Sequence, residues 1–575
     1  MVISDAAEND ISSLDNYQLG QFQPHPLLID HIVDQIFQNL ITSCVNSTHS
    51  RQQLCKVRLV CRQWNKAATN LLRKNFQQIF GGLEHNIGQF KKYLQIVHPD
   101  TRALWTKLPF TRFTFHSDVF QASTSSSVIS FLKICGPELE SLVIHKDIYS
   151  DAVYEDEMIS DVHVPTLKRL AYHDRRRSNI STDATSQKLL FALVTSAKDS
   201  LQSLSIQFPR EPAYEQQIKQ EILIRLLKEN GLPNLTCLKL DVLITDEILD
   251  TLTGMKLPLK ELHFSVGASK FSATSLKKLL ETLQYSLQIL KITDLFRRSE
   301  VTLDFPRLQH LQIFEIHGFE LPAYQVSFPN FSYDLVPNLR KLMLRTWAPT
   351  LNWEVFFSQS KNTIYSYHQP NILVTELSLA MNFDSVTLMK RIAATFTKLK
   401  RLEMYFSRAH VPALEVVFKE MTQLEDLRLN QSYLGEISTT CIDDVLTGLS
   451  SEECQWILKH KAFSRTDFHH LESKPGLTNL KNLKRLDIIN LRHRNLVTDV
   501  TGYMVFLRMP TLRYLAVGHS EVINAVDEMS TKCLWKLAQA YPETMLHEYL
   551  NRNRISCKED GLSKNSVFTS ACNVL

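Results

Sequence analysis

Apolar residues along this chain return in one phrase: apolar-x-x-Leu-x-x-Leu-x-apolar. It stands as Val164-Pro165-Thr166-Leu167-Lys168-Arg169-Leu170, again from Leu232 to Leu240, and again from Val336 to Leu344. Further copies start at Phe305, Phe396, Met421, Leu480 and Met509. Looser copies begin at Leu139, Leu201, Leu259 and Leu287, and units at Phe110 and Val374 replace the first leucine. Five copies carry proline two places before the first leucine, at Pro165, Pro233, Pro306, Pro337 and Pro510. Proline lacks an N–H and stops a preceding helix. Each phrase therefore predicts a helix stop, a bend, and a short strand whose alternate residues face a core. With first leucines mostly 21 to 35 residues apart, the spacing suits one strand plus one helix. The expectation is an α/β solenoid of about fourteen units over residues 108–550. The gap from Leu424 to Leu483 is twice as wide, so a degenerate unit or an insertion is expected near 430–482.

The ends read differently. Leu28, Ile29, Ile32, Val33, Ile36, Phe37 and Leu40 form one apolar helical stripe. A second helix is expected from about Arg51 to Leu72, with Leu54, Val57, Val60, Cys61, Trp64, Ala67, Ala68 and Leu71 on its apolar side. These helices define a module over residues 23–75, after a polar segment 1–22 expected to be disordered. A helical linker, 76–107, is expected before the solenoid. A last amphipathic helix from Cys533 to about Leu550 is expected to cap the array, and 551–575 reads as a flexible tail.

Composition narrows the function class. Apolar content is 44% and charged content 22%, ordinary for a soluble chain. A formal net charge of +4 gives no nucleic-acid footprint. The 15 glycines make no phosphate-cradling loop, and no nucleophile, metalloprotease or dinucleotide phrase appears. The 10 cysteines include no C-x-x-C pair and read as reduced core thiols of a cytoplasmic or nuclear protein. The first 25 residues lack a secretory pattern, and no apolar run approaches the roughly 20 residues that span a bilayer. The histidines fall on different strands with no i,i+4 or carboxylate-supported pair, so no metal and no cofactor is expected. An enzyme with its site in 430–482 is disfavoured for want of any catalytic phrase.

Two phrases in the N-terminal module carry a family resemblance. Ile36-Phe37-Gln38-Asn39-Leu40 is followed, in order, by Val60-Cys61-Arg62-Gln63-Trp64. Together they resemble an F-box, and an F-box ahead of leucine-rich units is similar to the leucine-rich-repeat class of F-box proteins. His25-Pro26-Leu27-Leu28 replaces the family's opening leucine-proline pair, and the link between the phrases is longer than usual. The resemblance implies an N-terminal helical F-box followed by an irregular leucine-rich-repeat solenoid. It implies a substrate-recognition subunit of an SCF-type ubiquitin ligase, non-catalytic itself. The F-box would dock a Skp adaptor, and through it a cullin scaffold, while the solenoid binds a protein substrate. Ile32, Ile36, Leu40, Val57, Val60 and Trp64 would supply adaptor contacts. Trp64 is the best anchor, with packing inside the hairpin as its alternative. The rival reading of the whole chain is a protein-binding scaffold acting without a ligase.

Strand alternation nominates the binding face. Early units place Arg112, His116, His145, Arg169, His173, His263 and His310 on the concave side. Later units place Lys341, Arg345, Arg401, Glu403, Tyr405, Asp426, Arg428, Arg485, Asp487 and Tyr514 there. Of these, Lys341, Arg345, Arg401, Tyr405, Arg428 and Arg485 are the candidate substrate contacts. Three readings stay open: a mixed-charge groove, a solvated face of cross-strand ion pairs, or arginines reading an acidic or phosphorylated motif. The chain ends Cys572-Asn573-Val574-Leu575, which resembles a prenylation box. Membrane contact is expected only if Cys572 is prenylated.

Overall fold

The computed structural model describes residues 35–39, 54, 56, 62–81, 87–98, 108–120, 125–146, 159–174, 180–208, 213–242, 244–267, 271–295, 300–302, 304–317, 325–327, 331–345, 357, 372–379, 386–406, 411–431, 442–463, 474–489, 497–517 and 529–541. Its strands are β1 (Gln78–Phe80), β2 (Arg112–Phe115), β3 (Ser141–Lys146), β4 (Arg169–Asp174), β5 (Ser203–Gln207) and β6 (Cys237–Asp241). Next come β7 (Glu261–Gly267), β8 (Ile289–Leu295), β9 (Glu300–Thr302), β10 (Ile313–His317), β11 (Gln325–Ser327) and β12 (Lys341–Arg345). The last are β13 (Glu376–Leu379), β14 (Arg401–Phe406), β15 (Asp426–Gln431), β16 (Arg485–Ile489) and β17 (Tyr514–Val517). Fifteen of them form one sheet in strict chain order, and β9 and β11 form a separate parallel pair. Each neighbouring pair in the large sheet is parallel, as in β3 with β4 and β14 with β15.

The repeated phrase explains this order. In the unit Leu167-x-x-Leu170-x-Tyr172 all three apolar residues are buried, and the residues between them are not. Register keeps equivalent residues level: Leu142 opposes Leu170, and Leu170 opposes Leu204. Buried strand residues and buried helix residues form one continuous core, Leu189, Leu193 and Leu227 among them. Each unit's apolar face is thus covered by its neighbours, which is why repeats of this size are stable only in series. One carbonyl per unit, just after the first apolar residue, accepts two N–H groups from the next unit. Glu140 O takes Lys168 N and Arg169 N, Lys168 O takes Gln202 N and Ser203 N, and the ladder continues to Lys484 O.

The ladder corrects one unit of the sequence reading. Ile313 lies level with Ile289 and Lys341, so Leu311, not Leu308, is the first leucine of its unit. Leu308 holds the lead position, its carbonyl accepting from Leu311 N as Val336 O accepts from Leu339 N. Both leucines are fully buried, so the composition of the phrase fits either register. Pro306 accordingly falls five places before the first leucine. His310 lies exposed in the bend before β10 and not on the sheet face, where Ile313, Glu315 and His317 stand instead.

Two boundaries also move. The expected linker 76–107 contains β1, which pairs with β2, and a helix, Ile87–Val97. Phe80, Phe90, Phe113, Phe115 and Phe131 pack ring against ring and close this end of the array. In the wide interval, β15 pairs directly with β16. Residues 442–463 add no strand to the sheet. They form helices Asp443–Thr447 and Ser451–His460, packed on helix Asp499–Met504 through Leu449, Cys454, Ile457 and Val500. Between β8 and β12 no helix occurs among the described residues. There the core is filled by Phe305, Phe314, Phe331 and Tyr333 in edge-to-face contact.

At the far end, helix Thr531–Ala540 begins under a Ser530 cap and buries Cys533, Leu534, Leu537 and Ala538. This is the expected closing helix; the stretch from 542 to 550 and the tail 551–575 lie outside the described residues. No described helix is long and apolar enough to cross a membrane.

Candidate protein-binding face

The N-terminal candidates come first in the chain. Trp64 stands in the first turn of helix Arg62–Asn75 and meets Phe37 edge to face, with centroids 5.4 Å apart. Phe37 is 1% exposed, whereas its neighbour Ile36 is 40% exposed. Trp64 is therefore half-buried against the hairpin, and Ile36 presents apolar surface outward. The same helix is tied to the array by Arg73, whose Nη1 donates to Leu108 O at 2.9 Å and Glu138 Oε2 at 2.8 Å. Ile32, Leu40, Val57 and Val60 lie outside the described residues.

The later strands build a continuous polar face opposite the leucines. Lys341 Nζ approaches Glu376 Oε2 at 3.7 Å, and Arg401 Nη1 meets Glu376 Oε1 at 3.1 Å. Arg401 also reaches Asp426 at 3.9 Å. Arg428 Nε and Arg485 Nε converge on Asp487 Oδ2, at 3.2 and 3.0 Å. Arg485 then lies over the Tyr514 ring, 4.1 Å from its centroid. A second row runs beside the first. Glu403 accepts from Arg345 Nη2 at 2.6 Å, Ser378 Oγ at 3.2 Å and Asn430 Nδ2 at 3.0 Å. Lys341, Arg345, Glu376, Arg401, Glu403 and Arg428 line a groove of about 170 Å³.

Five of the six residues nominated for substrate contact thus meet on one face. The sixth, Tyr405, lies on β14 opposite Asn430; its side chain lies outside the described residues. Each of the five cations is paired with a carboxylate, four of them across strands and Arg485 with Asp487 of its own strand. Acid and base alternate across strands because residues at one register position stand under 5 Å apart, where like charges repel. Such pairs contribute little while exposed, under about 1 kcal/mol each. Asp487 differs, since its side chain is only 5% exposed. Its Oδ1 and that of Asp426 are buried with no hydrogen bond. Burial pushes the Asp426 carboxyl up against the pull of Arg428 and Arg485.

The pairing extends toward the chain's first half. Lys239 meets Glu261 at 3.1 Å, and Lys291 meets Glu315 at 3.1 Å, with His317 bonded to the same Glu315. Burial alone would raise the Glu315 carboxyl, but His317 and Lys291 hold it at about 2. His263 sits against Thr293 and is depressed by burial and then by Lys291. Three further histidines, which sequence spacing keeps apart, come together. His116 stacks on His145 with centroids 5.0 Å apart, and His145 meets His173 at 4.9 Å. Among the described residues no group of three or more histidine, cysteine or acidic side chains is arranged to hold a metal ion. Of the described cysteines, Cys135, Cys454 and Cys533 are buried, and none forms a disulfide. His469-His470 and Cys572 lie outside the described residues.

Sheet, core and face together define an α/β solenoid with an open, internally neutralised polar surface. No family model matches the chain, and no curated protein matches it. Among solved structures, it is similar to the crystal structure of the Rad7 and Elc1 complex in yeast. The match has 13% identity and a TM-score of 0.31, and covers 88% of this chain and 90% of that one.

Proposed function

We propose that this chain is the substrate-recognition subunit of an SCF-type ubiquitin ligase. Its N-terminal helices dock a Skp adaptor, and through it a cullin scaffold, and its solenoid holds a protein substrate. The observation that supports this reading best is the N-terminal pairing of Phe37 with Trp64 beside an outward-facing Ile36, placed ahead of a long open sheet. In this reading Ile36 contributes apolar surface that the adaptor covers. Holding a substrate beside a separately recruited conjugating enzyme raises effective concentration with no chemistry by this chain. Ile32, Leu40, Val57 and Val60 complete the docking surface in this reading. The substrate lies along β12 to β17, where Lys341, Arg345, Arg401, Tyr405, Arg428 and Arg485 supply contacts. The chain is not itself an enzyme and works in the cytoplasm or nucleus.

Co-purification from cells tests the reading. Ile36→Asp and Trp64→Ala should each reduce recovery of the adaptor at least tenfold while leaving the solenoid folded by circular dichroism. Full adaptor recovery with both folded variants would leave a protein-binding scaffold that works without a ligase.

A further inference from the structure

We propose that His145 and His173 form a chelating pair for a first-row transition-metal ion. The two residues are level on β3 and β4. Parallel neighbours stand 4.7–4.9 Å apart, so side chains at one register position touch. Here the ring planes cross at 70°, and the two Nδ1 atoms face each other at 3.3 Å. A tetrahedral zinc ion bound to imidazole nitrogen at about 2.0–2.1 Å sets its ligand atoms about 3.3–3.4 Å apart. The nitrogens therefore already stand at a chelating separation.

Without metal, one Nδ1–H donates to the other ring's Nδ1 lone pair. Metal binding needs both lone pairs. The donor ring's proton moves through solvent to its own Nε2, leaving two neutral Nε2–H rings and releasing no net proton. Imidazole suits Zn²⁺, Cu²⁺ and Ni²⁺ and discriminates against Mg²⁺ and Ca²⁺. The strands fix both rings from below, because Ile144 and Tyr172, the preceding residues, are each 1% exposed. The next register pair, Lys146 with Asp174, is buried and opposite in charge, so it adds no net repulsion. His116 plays a different part. Its ring lies 14° from parallel with that of His145, so its lone pairs run alongside those of His145 and do not converge with them. The ion keeps two or more positions for water or for a ligand from another molecule.

The proposal is independent of adaptor docking. Its test is equilibrium dialysis of the full chain against micromolar Zn²⁺ at pH 7.5, with His469→Gln/His470→Gln as background to remove that adjacent pair. One equivalent should bind. His145→Gln and His173→Gln should each weaken it at least tenfold, since loss of even an indirect supporting group costs about 10–100-fold. His116→Gln should stay within about threefold. Equal uptake by all three variants would overturn the assignment. X-ray absorption on the zinc-loaded background protein gives a readout without substitution of the pair: two imidazoles in the first shell are expected, and none would overturn it.

Discussion

Asp443 is the group on which the packing of residues 442–463 turns, and replacing it gives a sharp test. It is 3% exposed and accepts from Thr498 N at 3.1 Å, from Thr501 Oγ1 at 2.6 Å, and from the Thr498 hydroxyl. These bonds join helix Asp443–Thr447 to helix Asp499–Met504 across more than 50 residues of chain. A hydrogen bond to a charged group contributes about 1.5–3 kcal/mol, and an orphaned buried donor costs about 1–3 kcal/mol more. The hydroxyls can turn elsewhere in Asp443→Ala, but Thr498 N cannot. A loss of about 3–5 kcal/mol follows. Solenoid units touch only their neighbours, so the loss should be local. Hydrogen exchange read by mass spectrometry should show helix Ser451–His460 and helix Asp499–Met504 opening at least about a hundredfold more often, at about 1.4 kcal/mol per factor of ten. Exchange in β3 to β8 should not change. Asp443→Asn, which keeps one acceptor, should lie between. If helix Ser451–His460 stays protected in Asp443→Ala, or if the whole array loosens equally, the clamp has been misread.

Other outcomes follow from the same structure. Ile313→Lys should be tolerated on the open face, whereas Phe314→Lys, at a buried position, should abolish soluble expression; the reverse would restore the Leu308 register. Arg401→Ala should cost under about 1 kcal/mol in urea unfolding because its side chain is 60% exposed. Asp487→Ala should cost about 1–3 kcal/mol, since it removes the carboxylate shared by Arg428 and Arg485 and leaves Arg485 without its hydrogen-bonded acceptor. Glu315 has a carboxyl held at about 2 in the fold, below its ordinary 4.5, so its contribution is present above pH 4.5 and fades as pH falls toward 2. The gap in melting temperature between the wild type and Glu315→Gln should therefore be level above pH 5 and close by about pH 2. A gap that stayed open down to pH 2 would refute the lowered carboxyl of Glu315.

Much of the solenoid is legible in the apolar phrase because burial is a local decision. Leu167, Leu170 and Tyr172 declare a strand's inner side by spacing alone, and thirteen of the fourteen expected units hold their place in the sheet. The slip at Leu308 shows where that logic ends: two buried leucines three residues apart fit the phrase equally, and only pairing with β8 and β12 chooses between them. β1 escaped notice because Gln78–Phe80 is three residues long and lacks the leucine phrase. Alternation put these residues on one polar face and left three readings of it open; the individual ion pairs come from the structure. Arg428 and Arg485 meeting at one oxygen of Asp487 depends on side chains from strands separated by the long interval between Gln431 and Arg485.

What the sequence alone determined is the inward half of this protein: which residues are buried, and that the strands follow one another in series. It could do so because hydrophobic burial is non-directional and follows residue type and period. What only the tertiary structure decided is the outward half: the partnered charges, the Asp443 clamp, and the meeting of His145 with His173. Those depend on distances of about 3 Å between groups far apart in the chain, and hydrogen bonds and ion pairs at that range are set by register.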